Sequence, residues 1–212
     1  MIRVLLVDDH ELVRTGIKRL LEDVEDIEVI GEAGSGEEAI EKVGKVTPDL
    51  VLMDVSMPGI GGMEATRRLV RMYPDLKIVS LTIHSDNPFP SRLLRAGARG
   101  YLTKGSKPEE MLKAIRDVSG GLRYISPEVA HQVATSLFSG AGSPFDKLSE
   151  RELQIMLMLT QGHSGGEIAE HLCLSPKTVS TYRHRLLSKL GVNSEEELTR
   201  LAMYHGVLDG TG

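Results

Sequence analysis

The chain has 212 residues, of which 41% are hydrophobic and 26% charged, with a net charge of −5. That length suits one large or two small domains with ordinary apolar cores, and the mild acidity, at a pI near 5.8, excludes a protein that coats nucleic acid over its whole surface. A single cysteine, Cys173, excludes an intramolecular disulfide, and no apolar run approaches the roughly 20 residues that span a bilayer, so a soluble cytoplasmic protein without signal peptide or anchor is expected.

In chain order, strands are expected over 2–7, 27–32, 49–53, 77–82 and 99–102. Between them, apolar residues recur at helical spacing, as in Leu12, Ile17, Leu20 and Leu21, in Ala39, Ile40 and Val43, and in Met63, Leu69 and Val70. A last helix from Pro108 to Ser119 carries Met111, Leu112, Ile115 and Val118 and stops at Gly120-Gly121. Regular alternation of strand and helix predicts a right-handed, doubly wound, five-stranded parallel sheet.

The strand ends carry the chemistry. Val4–Val7 runs into Asp8 and Asp9, Val51–Met53 into Asp54, Ile78–Leu81 into Thr82, and Gly100–Thr103 into Lys104. In a parallel sheet these C-terminal ends share one edge, where open α/β folds place their ligands. Three clustered carboxylates repel one another unless a divalent cation sits among them, and an oxygen-only set suits Mg²⁺. With the Lys104 ammonium added, the crevice becomes a receptor for a phosphoryl group. Each residue alone has a plainer reading, an Asp as a turn or cap residue and a Lys as a solvated charge. Four strand ends bearing the right types in order are what set the plain reading aside.

Residues 121–147 read as a linker with a helix near 126–138, Pro127 in its first turn, followed by the Gly/Ser-rich stretch 139–144. From 148 the chain is written in helix starts. Ser149…Glu152, Ser164…Glu167 and Ser194…Glu197 fit the capping box, and Ser175-Pro176 places a serine cap before a first-turn proline. Gly162 and Gly191 stand where helices stop, which predicts a small four-helix domain over 148–212.

The helix at 176–190 has an apolar stripe of Val179, Tyr182, Leu186 and Leu190. From 177 to 189 it holds Lys177, Arg183, Arg185 and Lys189 and no acid, although residues 121–212 together carry eight basic and ten acidic residues. Focused positive charge of this kind suits a phosphate backbone, while an ordinary solvated amphipathic helix is the plainer alternative.

The first 120 residues resemble the receiver domains of bacterial two-component response regulators, which have an acidic pair, a phosphoacceptor Asp, a Thr or Ser and a Lys at these four strand ends. Val55-Ser-Met-Pro-Gly-Ile-Gly-Gly62 resembles the family's loop after the acceptor. The resemblance implies a CheY-like, flavodoxin-like α/β fold in which Asp54 takes a phosphoryl group from a sensor histidine kinase or phosphorelay protein. It implies that Asp8, Asp9, Asp54 and the backbone carbonyl of Ser56 hold Mg²⁺. Lys104 and Thr82 bind the phosphoryl oxygens, and Tyr101 swings inward behind Thr82 as the aromatic switch. The helix near 88–96 would belong to the face that this switch moves.

Glu167–Val179 resembles the helix-turn-helix of the LuxR/NarL class, over about 148–206. That implies a recognition helix in the major groove. Ser180, Thr181 and His184 would reach base edges, and Lys177, Thr178, Arg183 and Arg185 phosphates. Leu198, Leu201, Ala202 and His205 would form either a dimerising helix, giving a homodimer on an inverted repeat of double-stranded promoter DNA when phosphorylated, or simply the closing wall of the domain core. In this class the unphosphorylated receiver tends to cover the recognition helix. Cys173 stands at a turn position that commonly holds glycine, where a left-handed backbone would cost about 1–2 kcal/mol. It is expected to be a small buried hydrophobe rather than a redox sensor. Asp86–Leu94, Thr103–Gly105 and Arg123–Pro127 narrow the likeness to the GacA/UvrY/VarA regulators of gammaproteobacteria, which activate genes for small regulatory RNAs.

Two rivals are weighed. A haloacid-dehalogenase-like phosphatase also uses an Asp after a strand with Mg²⁺, but it wants a second acid where this chain has Ser56. A constitutive DNA-binding or protein-contact regulator would not need the complete acceptor site. The expected protein is therefore a phosphorylation-controlled transcription regulator and not an enzyme.

Overall fold

In the computed structural model, which describes residues 1–82, 89–126, 129–130, 143–205 and 207, the chain divides into two compact units, the first of Met1–Ser85 and Pro90–Ala130 and the second of Asp86–Phe89 and His131–Gly212.

The first unit is a parallel sheet with helices on both faces. Its strands are β1 (Ile2–Val7), β2 (Ile27–Ala33), β3 (Leu50–Asp54), β4 (Lys77–Thr82), β5 (Gly100–Thr103) and β6 (Tyr124–Ile125), in the order β2-β1-β3-β4-β5-β6. Five helices join them: α1 (Glu11–Glu22), α2 (Gly36–Val46), α3 (Gly61–Met72), α4 (Phe89–Ala96) and α5 (Pro108–Ser119).

The central strands are apolar throughout because both faces are covered and successive side chains alternate between two cores. Val4, Leu6, Leu50, Leu52 and Leu81 pack with Leu21 of α1 and with Met111, Ile115 and Val118 of α5. Leu5, Val7, Val51, Met53 and Ile78 pack with Val43 of α2 and Leu69 of α3. At about 1.5–3 kcal/mol for each fully buried aliphatic side chain, this two-sided burial is the main force fixing the order of the strands.

The five expected strands are present, and a sixth corrects the count. After α5 the chain turns at Gly121, with φ +89°, and lays Tyr124 and Ile125 along the outer edge of β5. The Tyr124 N–H donates to the Arg99 carbonyl at 3.0 Å. A two-residue strand is too short for alternation to reveal it.

The second unit holds α6 (Glu150–Thr160), α7 (Gly165–His171), α8 (Pro176–Leu190) and α9 (Glu195–Tyr204). Ser149 and Ser164 form full capping boxes with Glu152 and Glu167, and the Ser175 side chain accepts from the Thr178 N–H. The third expected box is only half made: Ser194 accepts from the Glu197 N–H, but the Glu197 carboxylate accepts from the Asn193 N–H at 2.8 Å. The core contains Leu153, Ile155, Met156, Ile168, Ala169, Leu172, Val179 and Leu186. Buried Glu152 accepts from Lys189 Nζ at 2.6 Å and so ties the start of α6 to the end of α8. Burial works against the Glu152 carboxylate, yet its bonds to Lys189 and Ser149 prevail and hold it below the ordinary carboxylate range.

One expectation is revised here. Pro144–Lys147, expected in the linker, is a turn of 3₁₀ helix whose Phe145 is fully buried with its ring edge-on to His205, so the compact unit begins before residue 148. Most of the expected helix at 126–138 lies outside the described residues, as do Asp86, Asn87 and Pro88 of the stretch before α4.

Candidate functional site

The C-terminal ends of β1, β3, β4 and β5 open on one crevice, and the five expected groups meet there. Asp8, Asp54 and Thr82 are buried, at 2%, 0% and 1% exposure, and Asp9 and Lys104 are half-buried. Lys104 Nζ lies 2.7 Å from Asp8 Oδ2 and 2.8 Å from Asp54 Oδ2. The Ser56 N–H donates to Asp54 Oδ1 at 3.1 Å, and the Lys104 N–H to the Thr82 carbonyl at 2.6 Å. Tyr101 is fully buried on β5.

Burial raises Asp54 to about 6, with Asp8 adding to the rise against the pull of Lys104 and the Ser56 N–H. Burial also works against the Lys104 ammonium, but its hydrogen bond to Asp54 and the nearby Asp8 carboxylate outweigh this and raise it. The crevice therefore holds excess negative charge in a poorly solvated place.

Asp8, Asp9, His10 and Asp54 each bring a ligand atom within 4.8 Å of the others. Asp8 Oδ2 and Asp9 Oδ1 are buried acceptors without a hydrogen bond; Lys104 at 2.7 Å and His10 Nδ1 at 3.0 Å neighbour them without hydrogen-bond geometry. A set of carboxylate oxygens with bonding capacity to spare fits a hard divalent cation.

The surrounding residues were not foreseen. His10 stands at the N-terminal boundary of α1 without a side-chain capping bond, and its backbone N–H donates to Asp8 Oδ1 at 2.9 Å. Arg14 donates to the Asp8 carbonyl at 2.6 Å while its Nε pairs with Glu32 at 3.2 Å, so α1 and β2 together hold Asp8 in place. Glu37 of α2 accepts from the Ile60 N–H at 3.0 Å and clasps the loop that follows Asp54. Only the position of His10, directly after Asp8 and Asp9, signalled it in the sequence.

On the second unit, Lys177, Ser180, Thr181, His184 and Arg185 are exposed along α8, and Thr178 is half-buried. Thr181 Oγ1 donates to the Lys177 carbonyl at 2.9 Å, and the Thr178 hydroxyl lies 2.7 Å from Ser175 Oγ within the cap. Arg183 is exposed too, but its Nε pairs with Glu195 Oε1 at 2.7 Å.

The expected dimer stripe divides. Leu198 and Ala202 are fully buried in the unit's own core, which removes them as dimer contacts; Leu201 is half-buried and His205 exposed. Exposed apolar surface lies instead at the end of α9, in Met203 at 48% and Tyr204 at 85%.

Cys173 is exposed, which corrects the expectation of a buried thiol. Its φ is +53°, and the bonds Leu174 N–H to Ala169 carbonyl at 2.8 Å and Cys173 N–H to Glu170 carbonyl at 3.2 Å make a Schellman turn with Cys173 at the left-handed position. Cys173→Gly is expected to stabilise the second unit by about 1 kcal/mol and to leave DNA binding intact. Urea unfolding checks this, and a less stable folded variant would show that the thiol is held by contacts that outweigh the strain.

Sheet-edge crevice and helix-turn-helix together define a two-component response regulator, a class of transcription regulator and not an enzyme. The chain belongs to that family: the family described as response regulator receiver domain matches residues 4–116, and that described as bacterial regulatory proteins, luxR family, matches residues 146–202. It is 54% identical to the response regulator GacA of Pseudomonas aeruginosa, over 99% of each chain, and 54% identical to UvrY of Escherichia coli, over 98% of this chain and 96% of that one. Among solved structures it is similar to RcsB of Salmonella enterica serovar Typhimurium bound to the promoter rprA in the presence of a beryllofluoride phosphomimetic, with a TM-score of 0.69, 26% identity, and 94% and 97% of the two chains covered. No helix among the described residues is long and apolar enough to cross a membrane.

Proposed function

We propose that Asp54 accepts a phosphoryl group from the phosphohistidine of a sensor kinase or phosphorelay protein in the cytoplasm, and that the accepted charge releases the second unit to dimerise and bind promoter DNA. The observation that carries this reading is a fully buried Asp54 held by Lys104 at 2.8 Å beside two further carboxylates. An Asp54 carboxylate oxygen forms the new O–P bond in line as the P–N bond to the donor imidazole breaks, and the imidazole leaves with the bonding pair and takes up a proton. Asp8, Asp9, Asp54 and the Ser56 carbonyl would hold Mg²⁺, which when bound neutralises charge on the transferring group.

Lys104 begins tied to Asp8 and Asp54. Once phosphoryl oxygens are present they are its stronger partners, and Thr82 donates to another of them while Tyr101 packs behind. The rearranged ends of β4 and β5 bias α4 and its neighbours between two states. On the second unit, Lys177 and Arg185 neutralise phosphates and Thr178 contacts one through its hydroxyl, while Ser180, Thr181 and His184 meet base edges. Leu201, Met203, Tyr204 and His205 offer the dimer surface. Likeness to GacA and UvrY supports genes for small regulatory RNAs as targets.

The test adds Mg²⁺ and beryllofluoride and measures mass by light scattering and binding to an inverted-repeat duplex by fluorescence anisotropy. A Mg²⁺-dependent gain in both dimer and affinity is expected, with affinity falling steeply with salt. Equal binding with and without beryllofluoride would favour a regulator not controlled by phosphate.

A further inference from the structure

Of the four cations that α8 carries between 177 and 189, two have an acidic partner within the second unit, and the two pairs differ in kind. Lys189 is bonded to Glu152, whose side chain is 4% exposed. Separating that pair would leave a buried carboxylate without its counter-ion, so Lys189 stays where it is. Arg183 is bonded to Glu195, and both side chains are about half exposed, at 48% and 44%. An exposed pair of this sort contributes little to stability and can exchange partners. Among the described residues neither Lys177 nor Arg185 has an acidic partner.

Glu195 is also held in place. It stands in the first turn of α9, where the helix dipole favours a carboxylate. Glu197, two residues on, is engaged in the cap through Asn193 and Glu196 is exposed, which leaves Glu195 as the acid facing α8.

We infer that Glu195 is an internal stand-in for a DNA phosphate, which holds Arg183 back and limits binding to non-specific DNA. This rests on the DNA-binding reading of α8. Phosphate must displace Glu195 to engage Arg183, and the freed carboxylate then gathers a cation from solution. The counterion released from DNA is offset by the one taken up at Glu195, so this contact adds little to the salt dependence of the wild-type chain.

Glu195→Gln removes the competitor and keeps the size of the side chain. With a random-sequence duplex in fluorescence anisotropy, all chains being loaded with Mg²⁺ and beryllofluoride, the full-length variant is expected to bind about three- to tenfold more tightly at low salt, and its log–log salt slope to steepen by about 0.9, the value for one added phosphate. Arg183→Ala should change the wild-type slope little but abolish the gain in the Glu195→Gln background. A Glu195→Gln variant with wild-type affinity and slope overturns the inference, as does a gain that survives Arg183→Ala. A wild-type chain that binds no duplex at any salt instead overturns the DNA-binding reading beneath it. Circular-dichroism melting confirms that each variant is folded before binding is compared.

Discussion

Gly62→Ala is expected to destabilise the first unit by about 3 kcal/mol or more and to displace the acceptor loop. A Cβ at position 62 would sit 1.8 Å from the Asp54 carbonyl oxygen, 2.8 Å from its carbon and 2.9 Å from Val55 Cα. All three atoms are backbone, so no rotamer change relieves the overlap. The Gly62 N–H also donates to the Val55 carbonyl at 3.1 Å, which binds the start of α3 to the end of β3 at that point. Relief needs a shift of more than an ångström in the residue that presents the buried Asp54 carboxylate to Lys104. Overpacking a core ordinarily costs about 1–3 kcal/mol, and backbone that cannot yield lies at the upper end or beyond. Gly16→Ala is the control: it lies mid-way along α1 with nothing within 4 Å of the new methyl, and should add about 1 kcal/mol through helix propensity. Calorimetry of the two variants against wild type decides it, and a Gly62→Ala chain within 1 kcal/mol of wild type would mean that the loop is far more pliable than its contacts indicate.

The parts of the crevice readable in the sequence are those fixed by strand ends. Apolar runs covered on both faces stop where the chain reaches water, so the polar residue that follows is both a boundary marker and a chemical group. Asp8, Asp54, Thr82 and Lys104 were legible for that reason. His10, Arg14 and Glu37 were not. Arg14 acts through Glu32 on another strand, and Glu37 through Ile60, 23 residues on. Pairings of this kind depend on how helices settle on the sheet, which local periodicity does not carry.

The helical half divides the same way. Serine caps were legible because each is closed within three residues, but the third Glu chose Asn193 over the Ser194 amide. Leu198 and Ala202 share one helical stripe with half-buried Leu201 and exposed His205, and a stripe alone does not say which members face inward. Cys173 misled by type: free cysteine is usually buried, yet a left-handed residue ending a helix points its side chain outward. The charges of Arg183 and Lys189 were visible, but not the acids that hold them, which lie on α9 and α6.

Asp54→Asn is expected to abolish phosphoryl acceptance and, in the absence of metal, to make the chain more stable above neutral pH. Loss of acceptance follows because the amide oxygen is too weak a nucleophile to form the O–P bond, and incubation with a radiolabelled small phosphodonor such as acetyl phosphate should leave the variant unlabelled. Label retained on the folded variant would place the acceptor elsewhere. The stability change has a definite sign. Burial raises the Asp54 carboxyl to about 6, so the fold favours its protonated form relative to the unfolded chain. That contribution is fully present below the ordinary carboxylate value, near pH 4, and is lost as pH rises through about 6. At pH 8 the ionised wild type carries a penalty on the order of 1–3 kcal/mol that an uncharged Asn avoids. Melting curves in EDTA should therefore be closest near pH 4 and separate as the pH rises through 6 towards 8, with Asp54→Asn the more stable. Mg²⁺ should then raise the wild-type melting temperature more than the variant's, since the ion relieves the charge that the substitution removes. A variant less stable than wild type at pH 8 would mean that the bond from Lys104 outweighs burial and that the crevice is balanced without metal.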